Sequence, residues 1–143
     1  MPPYLPPELI ENIMGHIDDQ KTLAACSLIC RAWTPFAQSE FFRILHLGPS
    51  LDRTTTFLQM VHQSPHIALL PRTLISDHWV PRVVDDGTNL AQIAPVLIKV
   101  SKLSLVSISL LDLPSHNLRT IVEGFPSLRQ LFLDTCTIDV HVL

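Results

Sequence analysis

The chain has 143 residues, of which 47% are hydrophobic and 16% are charged, and its formal net charge at pH 7 is -3. This composition argues against intrinsic disorder, because there is enough apolar surface to offset the entropy cost of ordering the chain. Acidic and basic residues are interspersed, without a basic block or an acidic tail, so the charge pattern predicts neither a nucleic-acid-binding nor a membrane-binding surface. Protein partners are therefore the default expectation.

Three further features bear on the compartment. Residues 1–4 lack the basic region and apolar core of a signal peptide. The most apolar window, residues 90–113, is interrupted by lysines and serines, which does not suit a membrane span. The cysteines are odd in number, which favours reduced thiols over a disulfide framework: Cys26, Cys30 and Cys136. We therefore expect a protein of the cytoplasm, the nucleus or both.

The N-terminal part of the chain has the pattern of two short helices. Pro7 suits an early helical position, where no backbone donor is needed. The apolar residues that follow recur at helical spacing: Leu9, Ile10, Ile13, Met14 and Ile17. A polar break from His16 to Asp19 ends this helix, and Asp18 or Asp19 can accept backbone N–H bonds to cap a second helix that contains Leu23.

A third helix is predicted from about Arg31. Pro35 either starts a new helical segment there or kinks this one. Some apolar side chains in the three helices are expected to be ordinary core residues: Ile17, Leu28, Phe36 and Ala37. A unit of roughly 40 residues is too small to build much of a core alone, so part of its apolar surface is expected to pack on a second domain or a partner.

Several of these residues also form a recognisable motif. They are Leu5-Pro6, Glu8-Leu9, Ile13, Leu23, Cys30-Arg31 and Trp33, followed by Phe41-Phe42, Ile44 and Leu45. The segment, residues 4–47, resembles the F-box, a helical module that links a protein to a cullin-based ubiquitin ligase. Pro35 departs from the commonest form of that pattern.

The F-box resemblance implies a partner, a Skp-type adaptor, and through it a cullin. The adaptor-binding surface that it implies consists of Leu5, Pro6, Leu9, Ile10, Ile13, Leu23, Cys30 and Trp33. The pattern leaves open which of these side chains face the core and which face the adaptor.

The second half of the chain contains an internal repeat that begins at Leu90. Equivalent residues are separated by a constant number of sequence positions, the number that separates Leu90 from Leu118. The helical positions Leu90, Ile93, Ala94 and Leu97 recur as Leu118, Ile121, Val122 and Phe125. The strand positions Val100, Leu103, Leu105, Ile108 and Leu110 recur as Leu128, Leu131, Leu133, Cys136 and Ile138. The strand phrase resembles the L-x-x-L-x-L-x-x-C/N-x-L signature of leucine-rich repeats.

Together these patterns predict an α+β or α/β fold, with a three-helix F-box at residues 4–47 and a short, degenerate leucine-rich-repeat solenoid of helix-strand units at residues 90–143. The connecting region, residues 48–89, offers a degenerate first repeat with a helix at Phe57, Leu58 and Val61 and a strand at 74–76. The chain stops directly after a repeat strand, so we expect a truncated solenoid.

Alternate strand residues should point away from the solenoid core, onto the face that leucine-rich repeats use for binding. This predicts a target-binding set of Ser104, Val106, Phe132 and Asp134. The function predicted from both resemblances is a substrate receptor of a Skp-cullin-F-box ubiquitin ligase. The alternative is an F-box scaffold or truncated remnant that binds the adaptor without ligase function.

An enzyme is not expected. The four glycines are too far apart to form a phosphate loop or a nucleophile elbow. The sequence contains no motif that assembles a nucleophile, a base and an orienting group. We predict no catalytic residue, no metal site and no cofactor.

Overall fold

The computed structural model describes residues 5–48, 51–77, 88–107, 119–121 and 123–134. The chain divides into two compact units, Met1–Arg43 and Ile44–Leu143. The first is helical and the second contains a small parallel sheet. Within the described ranges, no helix is both long enough and apolar enough to cross a bilayer.

The first unit consists of three short helices: α1 (Pro7–Gly15), α2 (Gln20–Ile29) and α3 (Thr34–Phe42). Its core is one cluster of buried side chains drawn from all three: Ile10, Met14, Leu23, Cys26 and Ala37. Four partly buried hydrophobic residues pack against this cluster: Ile17, Trp33, Phe36 and Phe41. The three helices predicted from the sequence are therefore present.

Asp19 caps the start of α2. Its Oδ2 accepts a hydrogen bond from the backbone N–H of Thr22 at 2.8 Å and one from the Thr22 hydroxyl at 2.6 Å. These bonds stabilise the ionised carboxylate, and they lower the pKa of Asp19 below its ordinary value, the side-chain bond having the larger effect. Of the two aspartates that the sequence offered as caps, Asp19 is the one that serves.

The third helix begins at Thr34, slightly later than the sequence predicts. Pro35 lies in its first turn, so the proline starts a new helix and does not kink an existing one. The Thr34 hydroxyl donates to the carbonyl of Ser27 at 2.8 Å and to that of Cys30 at 3.1 Å. These bonds tie the beginning of α3 to the end of α2.

The described residues of the second unit form a four-stranded parallel sheet in the order β1-β2-β3-β4. Its strands are β1 (Ile44–Leu47), β2 (Thr73–Asp77), β3 (Lys102–Val106) and β4 (Gln130–Asp134). The helices whose bounds the structure gives between these strands are α4 (Leu51–Gln63), the 3-10 helix Pro65–Leu69 and α5 (Thr88–Ile93). Helical connections are what parallel neighbours require, since a tight hairpin cannot join them.

The strands pair in a regular register. Lys102 lies opposite Gln130, which is the same offset as the repeat in the sequence, and Thr73 lies opposite Lys102, an offset one residue longer. The backbone hydrogen bonds at the start of the strands recur in the same way. The backbone N–H groups of Ser101 and Lys102 both donate to the carbonyl of Arg72, and those of Arg129 and Gln130 both donate to the carbonyl of Ser101. The strands predicted around 74–76 and 103–105 are present.

The core of this unit lies on one side of the strands. Leu74, Leu103 and Leu105 are fully buried, while the residues Ile75 and Ser104 are partly exposed, because successive strand residues point to opposite faces. The predicted helical positions are also buried: Leu90, Ile93, Ala94, Leu97, Ile121 and Phe125. In β4, an edge strand of the described sheet, Leu131 and Leu133 are exposed.

Some repeat positions cannot be placed on this framework. Those outside the described residues are Ile108, Leu110, Leu118, Val122, Cys136 and Ile138. The small parallel sheet is therefore established, whereas the leucine-rich-repeat solenoid stays a prediction. Ile44 and Leu45, included in the F-box pattern, begin the second unit because β1 pairs with β2.

Gly124 is the tightest backbone position among the described glycines. A Cβ there would collide with the backbone carbonyl oxygen of Thr120 and would lie 2.8 Å from the Cβ of Ala94. We expect Gly124→Ala to destabilise the second unit by about 1–3 kcal/mol, the usual cost of overpacking. Gly15→Ala is the matched control, since its Cβ would meet no atom within 4 Å. Urea unfolding should show a lower free energy of unfolding for Gly124→Ala than for wild type, and no such loss for Gly15→Ala. Equal free energies of unfolding for Gly124→Ala and wild type would contradict the close packing at Gly124.

The Asp19 cap predicts a pH dependence of the helical unit. Because the folded-state pKa is lowered, the cap contributes its full stability above the unfolded-state pKa and loses it as pH falls through the folded-state pKa, below about pH 4. We expect Asp19→Ala to lower the melting temperature at pH 7 and to reduce the loss of stability in acid. Asp19→Asn should keep part of the cap at neutral pH. Thermal melts followed by circular dichroism test this, and identical acid profiles for wild type and Asp19→Ala would refute it.

Candidate functional site

Helix α1 carries two apolar stripes that face different environments. Ile10 and Met14 are buried in the helical core, at 5% and 0% exposure. Leu9 and Ile13, one helical turn apart, are 51% and 42% exposed. Residues at that spacing lie one above the other on a helix, so α1 presents a continuous apolar stripe to solvent. An exposed stripe of this kind is typical of a helix that docks onto a partner.

The entry to α1 extends the same set of exposed residues. Leu5 and Pro6 directly precede the helix and are both exposed. The carbonyl of Pro6 accepts backbone hydrogen bonds from Leu9 at 3.0 Å and from Ile10 at 3.2 Å. These bonds connect the Leu5-Pro6 segment to the first turn of the helix, so the segment and the stripe form one local structure.

The structure divides the eight predicted adaptor-binding residues into two groups. Five of them are exposed: Leu5, Pro6, Leu9, Ile13 and Cys30. The others contribute to the core, with Ile10 and Leu23 buried and Trp33 partly buried against the cluster. Burial therefore shows which of the eight side chains face the core, and the adaptor-binding role of the five exposed residues stays a prediction.

The end of α2 exposes apolar side chains that sequence reasoning missed. Leu28 was expected in the core, but it is 85% exposed, and Ile29 is 62% exposed. Successive helical residues are rotated by about 100°, so Leu28 lies about 200° from the buried Cys26 and cannot share its face. Counting from Leu23 and Cys26 would have placed it outside the core.

The sheet of the second unit presents a separate surface, opposite its core. Ser104 is paired with Phe132, and Val106 is paired with Asp134, in adjacent rows of the β3-β4 register. The four predicted target-binding residues therefore lie together on one face. Phe132 is 54% exposed there, although most large aromatic side chains are buried in folded proteins.

Strand β2 extends both rows. Ile75 is paired with Ser104, and Asp77 is paired with Val106. These two residues are missing from the binding set predicted from the sequence. That set was predicted from the repeat that begins at Leu90, and β2 does not fit the repeat, because the offset from β2 to β3 is one residue longer than the offset from β3 to β4.

The described residues were compared with the requirements of a metal site, and they contain an open depression on the second unit. They include no group of three or more His, Cys, Asp or Glu side chains that could hold a metal ion. A depression of about 470 Å³ lies between α4 and α5, lined by Thr55, Leu58, Gln59, His62, Gln63 and Gln92. Its lining offers neither a thiol nor a carboxylate, and it is open to solvent.

Comparison with known proteins bears on the helical segment. Residues 3–47 match the F-box-like family. A comparison with curated protein sequences found no match to this chain. The matched segment contains the Leu5-Pro6 entry, the exposed stripe of α1 and the exposed end of α2. Residues 3–47, about a third of the chain, are therefore similar to an F-box-like domain, a kind of domain that implies binding to a Skp-type adaptor.

Proposed function

We propose that this chain is a substrate-receptor subunit of a Skp-cullin-F-box ubiquitin ligase. The F-box-like segment binds the Skp-type adaptor, which is joined to a cullin, and the second unit holds a target protein. The chain itself makes and breaks no bond. Its contribution is proximity, because a target held near the ubiquitin-charged enzyme reacts at a raised effective concentration.

The observation that carries this proposal is the exposed stripe of Leu9 and Ile13 within the F-box-like segment. Burying a Leu or Ile side chain completely is worth about 1.5–3 kcal/mol relative to leaving it exposed. Both are about half exposed in the free chain, so an adaptor that covers them gains a substantial part of that energy. Neither residue belongs to the buried core cluster, so the adaptor can cover both without disturbing that core.

The exposed acidic residues of α1 point away from the stripe. At about 100° per residue, Glu11 lies about 200° around the helix from Leu9, and Glu8 lies about 100° from Leu9 on the side away from Ile13. The proposed adaptor surface is therefore apolar.

The target-binding part of the proposal rests on the parallel sheet. The nearly equal offsets between successive strands and the recurring hydrogen bonds at the strand entries support a leucine-rich-repeat architecture for the second unit. In such repeats the strand face opposite the core is the binding surface. Ser104, Val106, Phe132 and Asp134 lie on that face.

The remaining parts of the proposal concern setting and chemistry. We place the protein in the cytoplasm or nucleus, where Skp-cullin assemblies and reduced thiols are expected. Of the described cysteines, Cys26 packs in the helical core and Cys30 is exposed. Neither is assigned a catalytic role, and the protein is proposed to act without a cofactor.

The test is co-purification with a Skp-type adaptor. We expect the double variant Leu9→Asp with Ile13→Asp to weaken adaptor binding by more than about tenfold, because two charges would be desolvated in the interface. Both positions are exposed in the free chain, so the variant should keep its helical circular dichroism spectrum.

The matched control is Glu11→Ala with Asn12→Ala. These residues are also exposed on α1, with Glu11 on the opposite side of the helix from Leu9 and Asn12 next to the stripe. Adaptor binding by this control should stay within about threefold of wild type, as expected for positions outside the stripe or at its edge. Unchanged binding by the Leu9 and Ile13 variant, in a folded chain, would rule out the proposed adaptor surface.

A further inference from the structure

Strand β4 is an edge strand whose apolar side chains are exposed on both of its faces. Among the described residues it pairs with β3 on one side and with no strand on the other. Leu131, Phe132 and Leu133 follow one another in this strand and are 53%, 54% and 39% exposed. An exposed apolar edge strand is a template for pairing with another chain.

The devices that usually protect an edge strand are absent from β4. Such edges commonly carry a lysine, a proline or a bulge, whereas β4 contains neither residue type and pairs with β3 in unbroken register. Leu131 and Leu133 lie opposite Leu103 and Leu105, which are buried in the core of the second unit. A further strand at the β4 edge would therefore cover leucines that lie on the core face.

The backbone hydrogen bonds of β4 define which of its residues face the open edge. At the start of the strand, the N–H of Gln130 donates to the carbonyl of Ser101. At its end, the carbonyl of Asp134 accepts from the N–H of Ser107. Both ends of the strand thus bond towards β3, and alternate residues of a strand direct their backbone groups to the same neighbour. The leucines on either side of the central phenylalanine therefore direct their N–H and carbonyl groups to the open edge.

We propose that β4 pairs antiparallel with β4 of a second copy of this chain, about a two-fold axis that passes by Phe132 perpendicular to the sheet. The run Leu131-Phe132-Leu133 is the same in both directions. The pairing therefore sets Leu131 opposite Leu133 of the second copy, and Phe132 opposite Phe132 of the second copy. A two-fold interface requires self-complementarity of this kind, which is why the occupant is a second copy and not a different protein.

The pairing matches the backbone of β4 as well as its side chains. In an antiparallel ladder, hydrogen-bonded pairs exchange both N–H to carbonyl bonds, and here these pairs are Leu131 with Leu133, the residues whose groups face the edge. Phe132 forms the non-hydrogen-bonded pair, in which facing side chains are closest, and aromatic pairs at such positions stabilise a sheet. A displacement of the register would instead set Phe132 opposite the polar Gln130 or Asp134.

The two-fold axis also preserves the faces of the sheet. A rotation about the sheet normal does not exchange its two faces, so the leucines of both copies stay on the core face. Both phenyl rings stay on the face of the proposed target-binding set, which then continues across the two copies.

Sedimentation equilibrium of the purified full chain tests the pairing. We expect wild type to dimerise and Phe132→Lys to raise the dimer dissociation constant about tenfold or more, because two lysines would face each other across the axis. The matched control is Ile75→Lys, at a partly exposed position in the same row of the sheet but on β2, away from the β4 edge. Its dissociation constant should stay within about threefold of wild type.

A cysteine at the axis tests the register and does not depend on the folding of Phe132→Lys. In a chain with Cys30→Ser and Cys136→Ser, Phe132→Cys should form a disulfide-linked dimer on mild oxidation, because a Cα separation of about 4.5 Å suits a disulfide. Gln130→Cys should not, because it would lie opposite Asp134 of the second copy and about 14 Å along the strand from its own counterpart.

The outcomes that would overturn the inference are distinct. Wild type that is monomeric at every concentration would leave the β4 edge to a strand of a different protein. Open-ended oligomers would indicate a head-to-tail contact instead of a two-fold one. Equal dissociation constants for Phe132→Lys and wild type, or equal crosslinking of Gln130→Cys and Phe132→Cys, would contradict the pairing at Phe132. None of these measurements involves the adaptor, so their result is independent of the ligase assignment.

Discussion

A helical unit of this size cannot bury all of its apolar side chains, and the exposed stripe on α1 is a consequence of that limit. Small domains bury a smaller share of their surface than large ones. In the first unit, α1 directs Ile10 and Met14 into a small core and leaves Leu9 and Ile13 in solvent. One short helix thus stabilises the fold with one stripe and offers the other to a partner.

The second unit obeys a different constraint, the alternation of side chains along a strand. Leu103 and Leu105 are buried, so Ser104 and Val106 must lie on the opposite face. Parallel pairing in a regular register then places equivalent residues of neighbouring strands in rows. The core pattern and the register together therefore place the residues of the proposed target-binding set on one face.

Much of the local structure was predictable because its causes are local. The Pro7 start of α1, the Asp19 cap and the leucines of β3 all follow from side chains close to each other in sequence. Which stripe of α1 is buried was not predictable, because both stripes are apolar and the outcome depends on packing against α3, which lies beyond α2 in the chain.

Two other differences come from the angular position of a residue on its helix and from strand pairing between residues distant in sequence. Leu28 looked like a core residue by type, and only its angular position relative to Cys26 places it outside. Ile44 lies within the segment that matches the F-box-like family, and it begins a strand because the distant Thr73 supplies its partner.

Site-specific photo-crosslinking to a purified Skp-type adaptor would test directly whether the exposed stripe of α1 binds the adaptor. Benzoylphenylalanine would replace Leu9 or Ile13 on α1 and, in a separate protein, Phe132 on the sheet face. We expect a crosslinked product of chain and adaptor from positions 9 and 13 and none from position 132. Crosslinks from position 132 alone, or from none of the three in a folded chain, would contradict the assignment of α1 as the adaptor-binding surface.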